Sequence, residues 1–285
     1  MQKRPLGRTG YQITPVTFGG IIVMNETPQD AARYVSCAID HGINYFDVAP
    51  SYGDAEQKLG PALTPYRQQV YLACKTEKRD AASAEAELHR SLKLLRTDHF
   101  DVYQLHAMTT QQDLDRAFAE DGVMPLLVRA REQGLIRRIG ITAHNEDVAL
   151  TALSRFDFDT VMFPVNWALG LSRGWADRLT KACREQGRGL LAIKALAHRK
   201  WLEGETRVYP KSWCKTLFGD EALMKAAMRY TLSKGADALI PPGNFEQFSF
   251  MVEHIEECLA QPLGEDDRTL LSAALPEAKA HPIFG

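Results

Sequence analysis

The chain has few of the features that mark membrane, secreted or nucleic-acid-binding proteins. Among its 285 residues no apolar run approaches the eighteen or so that a membrane span needs, and the N-terminus has no signal-peptide core. The formal charge is only −2, with no basic stripe of the kind that binds nucleic acid or a lipid surface. Cysteine is sparse: Cys37, Cys74, Cys183, Cys214 and Cys258 are odd in number and widely spaced, without a C-x-x-C pair. A disulfide framework, a zinc site or an iron–sulfur cluster would need closer spacing. The thiols read as free in a reducing, cytoplasmic compartment: Cys37, Cys74, Cys183 and Cys258 as small core residues, Cys214 in an exposed loop. There is also no charge block, linker or composition break, so residues 1–285 read as one domain.

What the chain does have is an alternation of short apolar strands and amphipathic helices. Lys3 to Thr14 reads as a hairpin around Gly7-Arg8-Thr9-Gly10. Eight strands follow, at Val16–Phe18, Tyr45–Asp47, Tyr71–Lys75, Asp101–His106, Arg138–Thr142, Thr160–Phe163, Gly189–Lys194 and Asp237–Ile240. Helices are expected over Pro28–His41, Ala55–Leu63, Ala81–Leu95, a region ending near Gln133, Glu146–Ser154, Trp175–Gln186, Leu223–Ser233 and Phe245–Leu259, the last closing the fold. Continuous apolar strands between helices suit a parallel sheet covered on both sides. Eight such units in a chain of this size predict an α/β (β/α)8 barrel, the hairpin preceding its first strand.

A barrel brings every strand C-terminus to one mouth, where three strands end on ionisable residues. Tyr45-Phe46-Asp47 ends on a carboxylate, Leu72-Ala73-Cys74-Lys75 on an ammonium and Gln104-Leu105-His106 on an imidazole. Tyr52 lies in the loop just past the first. Singly, each has an ordinary packing or solvated reading; together at adjacent strand ends they describe a proton-handling site. Gly19-Gly20 lets backbone approach something closely after the first strand. The connection from Ala195 to Asp220 exceeds the usual loop length and carries Lys200, Trp201, Lys211, Trp213, Lys215 and Phe218, which reads as a lid or binding segment, or else as a surface loop held down by its own tryptophans. Ile21, Ile22, Met24, Met108 and Trp167 are apolar residues expected near the mouth, as pocket lining or as packing.

With these residues in place the sequence resembles the aldo-keto reductases nearly end to end. The resemblance rests on the Arg4-to-Gly10 hairpin, Phe46-Asp47, Ser51-Tyr52-Gly53, the strand ending in Lys75, and Gln104-Leu105-His106. It implies a hairpin capping the barrel bottom, a nicotinamide cofactor across the mouth and an Asp47–Tyr52–Lys75–His106 tetrad. Tyr52 is then the proton donor to a carbonyl oxygen, Lys75 lowers the pKa of its phenol, Asp47 holds Lys75, and His106 contacts the same oxygen. The substrate implied is a small-molecule aldehyde, ketone or sugar-like hydroxyl, with no protein, nucleic-acid or membrane partner.

The cofactor side departs from the family's pattern. After strand five Thr142 replaces a serine hydroxyl, Ala143 stands where an asparagine is usual, and His144 or Asn145 compensates. Met162 stands at the position of a glutamine, and Ile193 where many relatives stack a tyrosine. Lys194 either reaches a cofactor phosphate or ends its strand in solvent. The clamp segment Pro242, Gly243, Asn244 and Gln247 has no Lys or Arg to meet a 2′-phosphate but carries Glu246. NADPH is the cofactor the resemblance implies, with NADH the alternative. Two further readings stay open, an NAD-dependent dehydrogenase working in the oxidative direction and a low-turnover cofactor-binding sensor barrel.

Overall fold

A computed structural model describes residues 1–284. Eight parallel strands, Phe18–Gly19, Tyr45–Asp47, Tyr71–Thr76, Phe100–Met108, Ile136–Ala143, Thr160–Pro164, Gly189–Ile193 and Ala238–Leu239, lie side by side in chain order. The sheet closes on itself where Val16 bridges Leu239 in parallel; Thr17 N donates to Leu239 O at 3.1 Å and Leu239 N to Pro15 O at 2.9 Å. The result is a (β/α)8 barrel. Among the described residues no helix is long and apolar enough to cross a membrane.

Alternation along each strand sorts side chains into two cores. Tyr45, Ala73, Val102, Met162, Leu191 and Ala238 point inward and pack together with Leu6 and Ile13 of the hairpin. Phe46, Leu72, Cys74, Tyr103 and Leu105 point outward into the larger core beneath the helices. The hairpin strands, Arg4–Pro5 and Gln12–Ile13, close the end opposite the strand C-termini. Its Gly7 donates N–H to Asp237 Oδ2 at 3.0 Å, just before the eighth strand. Gly7 has φ +48°, and a Cβ there would meet Gly189 N at 2.3 Å, so only glycine seats the cap this closely.

Local signals explain most helix boundaries. Pro28–Asp40 starts with Thr27 accepting from Asp30 N, carries Pro in its first turn, and buries Ala31, Val35 and Ala38. The structure corrects the sequence reading in four places. The region ending near Gln133 is two helices, Gln111–Ala117 and Val123–Glu132. An extra helix, Trp167–Arg173, capped by Asn166 and stopped by Gly174 at φ +66°, precedes Asp177–Glu185. Phe245–Ala260 is not the closing helix: Glu265–Ala280 follows and packs against Glu221–Ser233 and Trp167–Arg173. It was hard to see because it contains Pro276 and buries only Asp267, Leu271 and Ala278, too little apolar surface for a clear stripe.

The fourth correction concerns the connection from Ala195 to Asp220. It carries a two-stranded antiparallel ribbon, Ala197–Arg199 with Lys215–Thr216. Arg199 is nearly fully buried and forks onto Glu205 at 2.7 and 2.9 Å, with Glu277 of the last helix at 2.7 Å. Trp201 Nε1 donates to Ser212 O at 2.8 Å. The segment is therefore held down from within and by the last helix. It also buries Cys214, expected to be exposed, while Cys37, expected in the core, is only half-buried.

Candidate active site

A cavity of about 620 Å³ opens at the strand C-termini, roofed by the 195–220 connection. Behind it, inward-pointing positions of three neighbouring strands meet. Asp47 lies opposite Ala73, and Lys75 opposite Gln104. Lys75 Nζ donates to Asp47 Oδ2, and Gln104 Nε2 donates to Asp47 Oδ1 at 3.0 Å. All three side chains are buried. Gln104 has room because strand five carries Gly140 opposite it, where a Cβ would come within 2.9 Å of Gln104 Cγ. Burial alone would push the Lys75 ammonium down, but Asp47 and Tyr52 outweigh it and hold its pKa above the ordinary lysine value.

Tyr52 stands between this buried pair and the cavity, with Lys75 Nζ 5.3 Å from the centre of its ring. Burial pushes the Tyr52 phenol up to about 12; Lys75 opposes the shift without cancelling it. Lys75 lowers the phenol pKa as the sequence reading expects, and desolvation of the phenolate, the larger effect, sets the net upward direction. His106 faces Tyr52 edge-on with ring centres 6.0 Å apart. It sits where the register of the fourth and fifth strands slips, next to Ala107 at φ +54°, and this bulge helps aim the imidazole at the mouth. Burial first, then Lys75, His144 and Arg79, lowers the His106 pKa to about 2, so the ring is neutral. The Ser51 hydroxyl lies 3.5 Å and the Glu77 carboxylate 3.2 Å from His106 Nδ1, so this nitrogen faces both a hydroxyl and a carboxylate at the mouth. Trp213 of the roof, 65% exposed, leans over Tyr52 at 5.8 Å.

The other side of the cavity is built by later elements. Thr142 Oγ1 accepts from Ala107 N at 2.7 Å, which leaves its own hydrogen uncommitted. His144 lines the wall, lowered to about 4 by burial and then by Lys194. Lys194 adopts φ +66°, rare for a non-glycine residue, and its carbonyl accepts from Asn166 Nδ2 at 3.1 Å. Burial lowers its pKa, and among the described residues no carboxylate lies within ion-pair distance. By contrast Lys211 is committed, donating to Ile22 O at 2.7 Å and pairing with Glu26.

The residues singled out from sequence therefore divide. Tyr52, His106, Thr142, His144, Lys194, Pro242 and Gly243 line the cavity, with Asp47 and Lys75 directly behind Tyr52. Gly19, Gly20, Asn244 and Gln247 lie outside the lining. A Cβ on Gly20 would meet Asp47 O at 2.8 Å, so that glycine serves strand packing. Asn244 caps Phe245–Ala260 by accepting from Gln247 N at 2.8 Å. The Gln247 amide is fully buried, donating to Thr216 Oγ1 at 2.9 Å and Leu217 O at 2.6 Å, which ties the roof to the helix. Of the five apolar mouth residues only Ile21 lines the cavity; Ile22, Met108 and Trp167 are core and Met24 packs beneath it. Gln104, Ser51, Cys214 and Phe284 received no role from sequence. The first two sat inside noted motifs, whereas nothing local pointed to the others.

Comparison with known proteins bears on the family and the fold. The chain is 28% identical over 179 residues to an uncharacterized oxidoreductase of Bacillus subtilis, covering 57% of this chain and 55% of that one. It is 27% identical over 251 residues to L-galactose dehydrogenase of Arabidopsis thaliana, covering 82% and 76%. The chain thus spans little more than half the length of the first relative. Among solved structures, an aldo-keto reductase of Pseudomonas aeruginosa superposes with a TM-score of 0.73 at 25% identity, covering 90% and 95%. The holo form of an aldo-keto reductase of Bacillus halodurans shares the fold, with a TM-score of 0.74 at 23% identity over 96% of both chains. Residues 15–217 match the sequence model of the aldo/keto reductase family, and the chain belongs to that family.

Proposed function

We propose that this chain, acting as one domain over residues 1–285, is a nicotinamide-dependent oxidoreductase that reduces the carbonyl of an aldehyde, ketone or sugar-like substrate. The observation that carries the reading is Tyr52, placed in the cavity with Lys75 Nζ 5.3 Å from its ring and the Asp47–Gln104 pair behind. The cavity also fits the cofactor. Lys194 supplies a half-buried cation at the cavity wall without a carboxylate partner among the described residues, suited to a phosphate. Thr142 and His144 offer polar contacts to a carboxamide, and the backbone of Pro242 and Gly243 offers close approach.

When bound, the cofactor supplies the hydride for the carbonyl carbon. Tyr52 Oη holds the proton for the carbonyl oxygen, and a phenol raised to about 12 is fully protonated at neutral pH. Lys75, kept charged by Asp47, stabilises the phenolate left behind. His106, neutral and edge-on to Tyr52, is placed to contact the same oxygen. Trp213 covers Tyr52 and limits water.

A second reading, a dehydrogenase working in the oxidative direction with NAD, is favoured by the clamp segment. No ammonium or guanidinium lies between Ile240 and Gln247, and Glu246 there accepts from the Tyr209 hydroxyl at 3.2 Å. The similarity to L-galactose dehydrogenase points the same way. Calorimetric titration of the purified chain with NADPH and NADH, followed by turnover in both directions, tests both readings. Binding of either nucleotide with carbonyl reduction supports the first. Preference for NADH with faster alcohol oxidation supports the second, and binding of neither overturns both.

A further inference from the structure

The cavity has a second aromatic wall, contributed by the C-terminal tail. Beyond Glu265–Ala280, residues 281–284 return to the barrel mouth, where Lys200 N donates to His281 O at 3.0 Å and Arg173 Nη2 to Phe284 O at 3.4 Å. The Phe284 ring stacks on Trp175 with centres 5.4 Å apart and planes at 20°. Trp175 stacks in turn on Phe163 of the sixth strand at 5.5 Å and donates Nε1 to Pro164 O at 2.9 Å. The column stands on the barrel itself. From there Phe284 lines the cavity, its ring 5.5 Å from that of His144 and 5.7 Å from Lys194 Nζ.

We propose that Phe284 contacts the ligand directly, as the wall against which the nicotinamide end of the bound cofactor packs. The inference rests on the cofactor-binding reading above. Its warrant is position: Phe284 neighbours His144 and Lys194, whereas Trp213 holds the Tyr52 side. The seventh strand ends at the aliphatic Ile193, so on this side the tail supplies the π face that a planar cationic or neutral ring prefers. A ring supported by Trp175 and Phe163 is already ordered, which favours its use as a wall.

The test is calorimetric binding of NADH, NADPH and ADP-ribose, which lacks the nicotinamide, to the full chain and to Phe284→Ala, Phe284→Leu and Phe284→Tyr. Phe284→Ala is expected to raise the Kd of the preferred dinucleotide about 3- to 10-fold and leave that of ADP-ribose unchanged. Phe284→Leu should fall between, and Phe284→Tyr should restore the original value. Equal losses for dinucleotide and ADP-ribose would overturn the proposal, because the tail would then only support the fold. So would unchanged nucleotide affinity with a raised substrate KM, since the ring would then belong to the substrate pocket. Failure of the unaltered chain to bind either dinucleotide would instead remove the cofactor reading on which the proposal stands.

Discussion

The two sides of the cavity are built by different means. On the Tyr52 side, Asp47, Lys75 and Gln104 come from consecutive strands and Lys75 and Gln104 both bond to Asp47, with Tyr52 and His106 in front. On the opposite side, Thr142, His144, Lys194, Gly243 and Phe284 come from strand ends, loops and the tail, and Lys194 has no carboxylate partner among the described residues. In the first group Lys75 and Gln104 both donate to the buried Asp47 carboxylate, a preorganised arrangement, although the buried Gln104 Oε1 has no partner among the described residues. The second leaves a charge and a hydroxyl hydrogen uncommitted, as a surface that awaits an anionic and polar ligand must do. One side is complete and the other is complementary.

If that division holds, breaking the complete side abolishes chemistry and spares binding. Tyr52→Phe removes one oxygen and keeps the ring under Trp213. Turnover at saturating nucleotide and substrate is expected to fall by about 10²- to 10⁴-fold, the usual worth of a positioned acid. Nucleotide affinity should stay within about twofold, a change of ~0.4 kcal/mol. Steady-state kinetics with calorimetry measure both. A loss of turnover below tenfold would remove Tyr52 from proton transfer, and a parallel loss of affinity would erase the division.

The same contrast explains what could be read from sequence. Side-chain direction within a strand follows from alternation, so Asp47 two residues after Tyr45, and Lys75 two after Ala73, had to face inward once a barrel was inferred. The closing of the mouth put Tyr52 and His106 beside them. Loops and tails carry no such rule. Pro242, Gly243, Asn244 and Gln247 looked equivalent in sequence, yet Gln247 turns away to fix Thr216 and only the first two reach the cavity. Lys194 turns to the cavity where Asn166, far back in the chain, bonds its carbonyl and helps hold a left-handed turn. Phe284 follows a helix with a faint apolar pattern, and its place depends on Arg199, which pairs with Glu277 of that helix, and on Trp175. Such placements are tertiary and leave no local periodicity.

Lys194 sharpens the comparison from the complementary side. Lys194→Met keeps the stem and the same backbone demand while removing the charge. Loss of a charge-assisted contact to phosphate is worth about 1.5–3 kcal/mol, so the Kd for nucleotide should rise about 10- to 100-fold. Turnover at saturating nucleotide should change by less than about threefold. An unchanged Kd would mean that the ammonium serves another anion, such as a carboxylate on the substrate.

The two imidazoles allow the finest comparison, because one lies on each side. His106 is lowered to about 2, chiefly by burial and then by Lys75, and His144 to about 4, chiefly by burial and then by Lys194. Both folded values lie below the ordinary histidine value, so the unfolded chain binds more protons. The stabilisation is therefore full above about pH 6.5 and is lost as pH falls, through about 4 for His144 and about 2 for His106. At pH 5 each accounts for about 2 kcal/mol of the loss relative to neutral pH. Denaturant unfolding at pH 7.5 and 5.0 of the unaltered chain, His106→Asn and His144→Asn should show each variant losing about 2 kcal/mol less than the parent. A bound nucleotide separates them further: its phosphate beside Lys194 removes part of what depresses His144 and leaves the Lys75 contribution at His106 intact. NMR titration should then show His144 moving up in pKa on nucleotide binding by more than His106. Equal shifts would mean that the charge settles nearer the tetrad than Lys194.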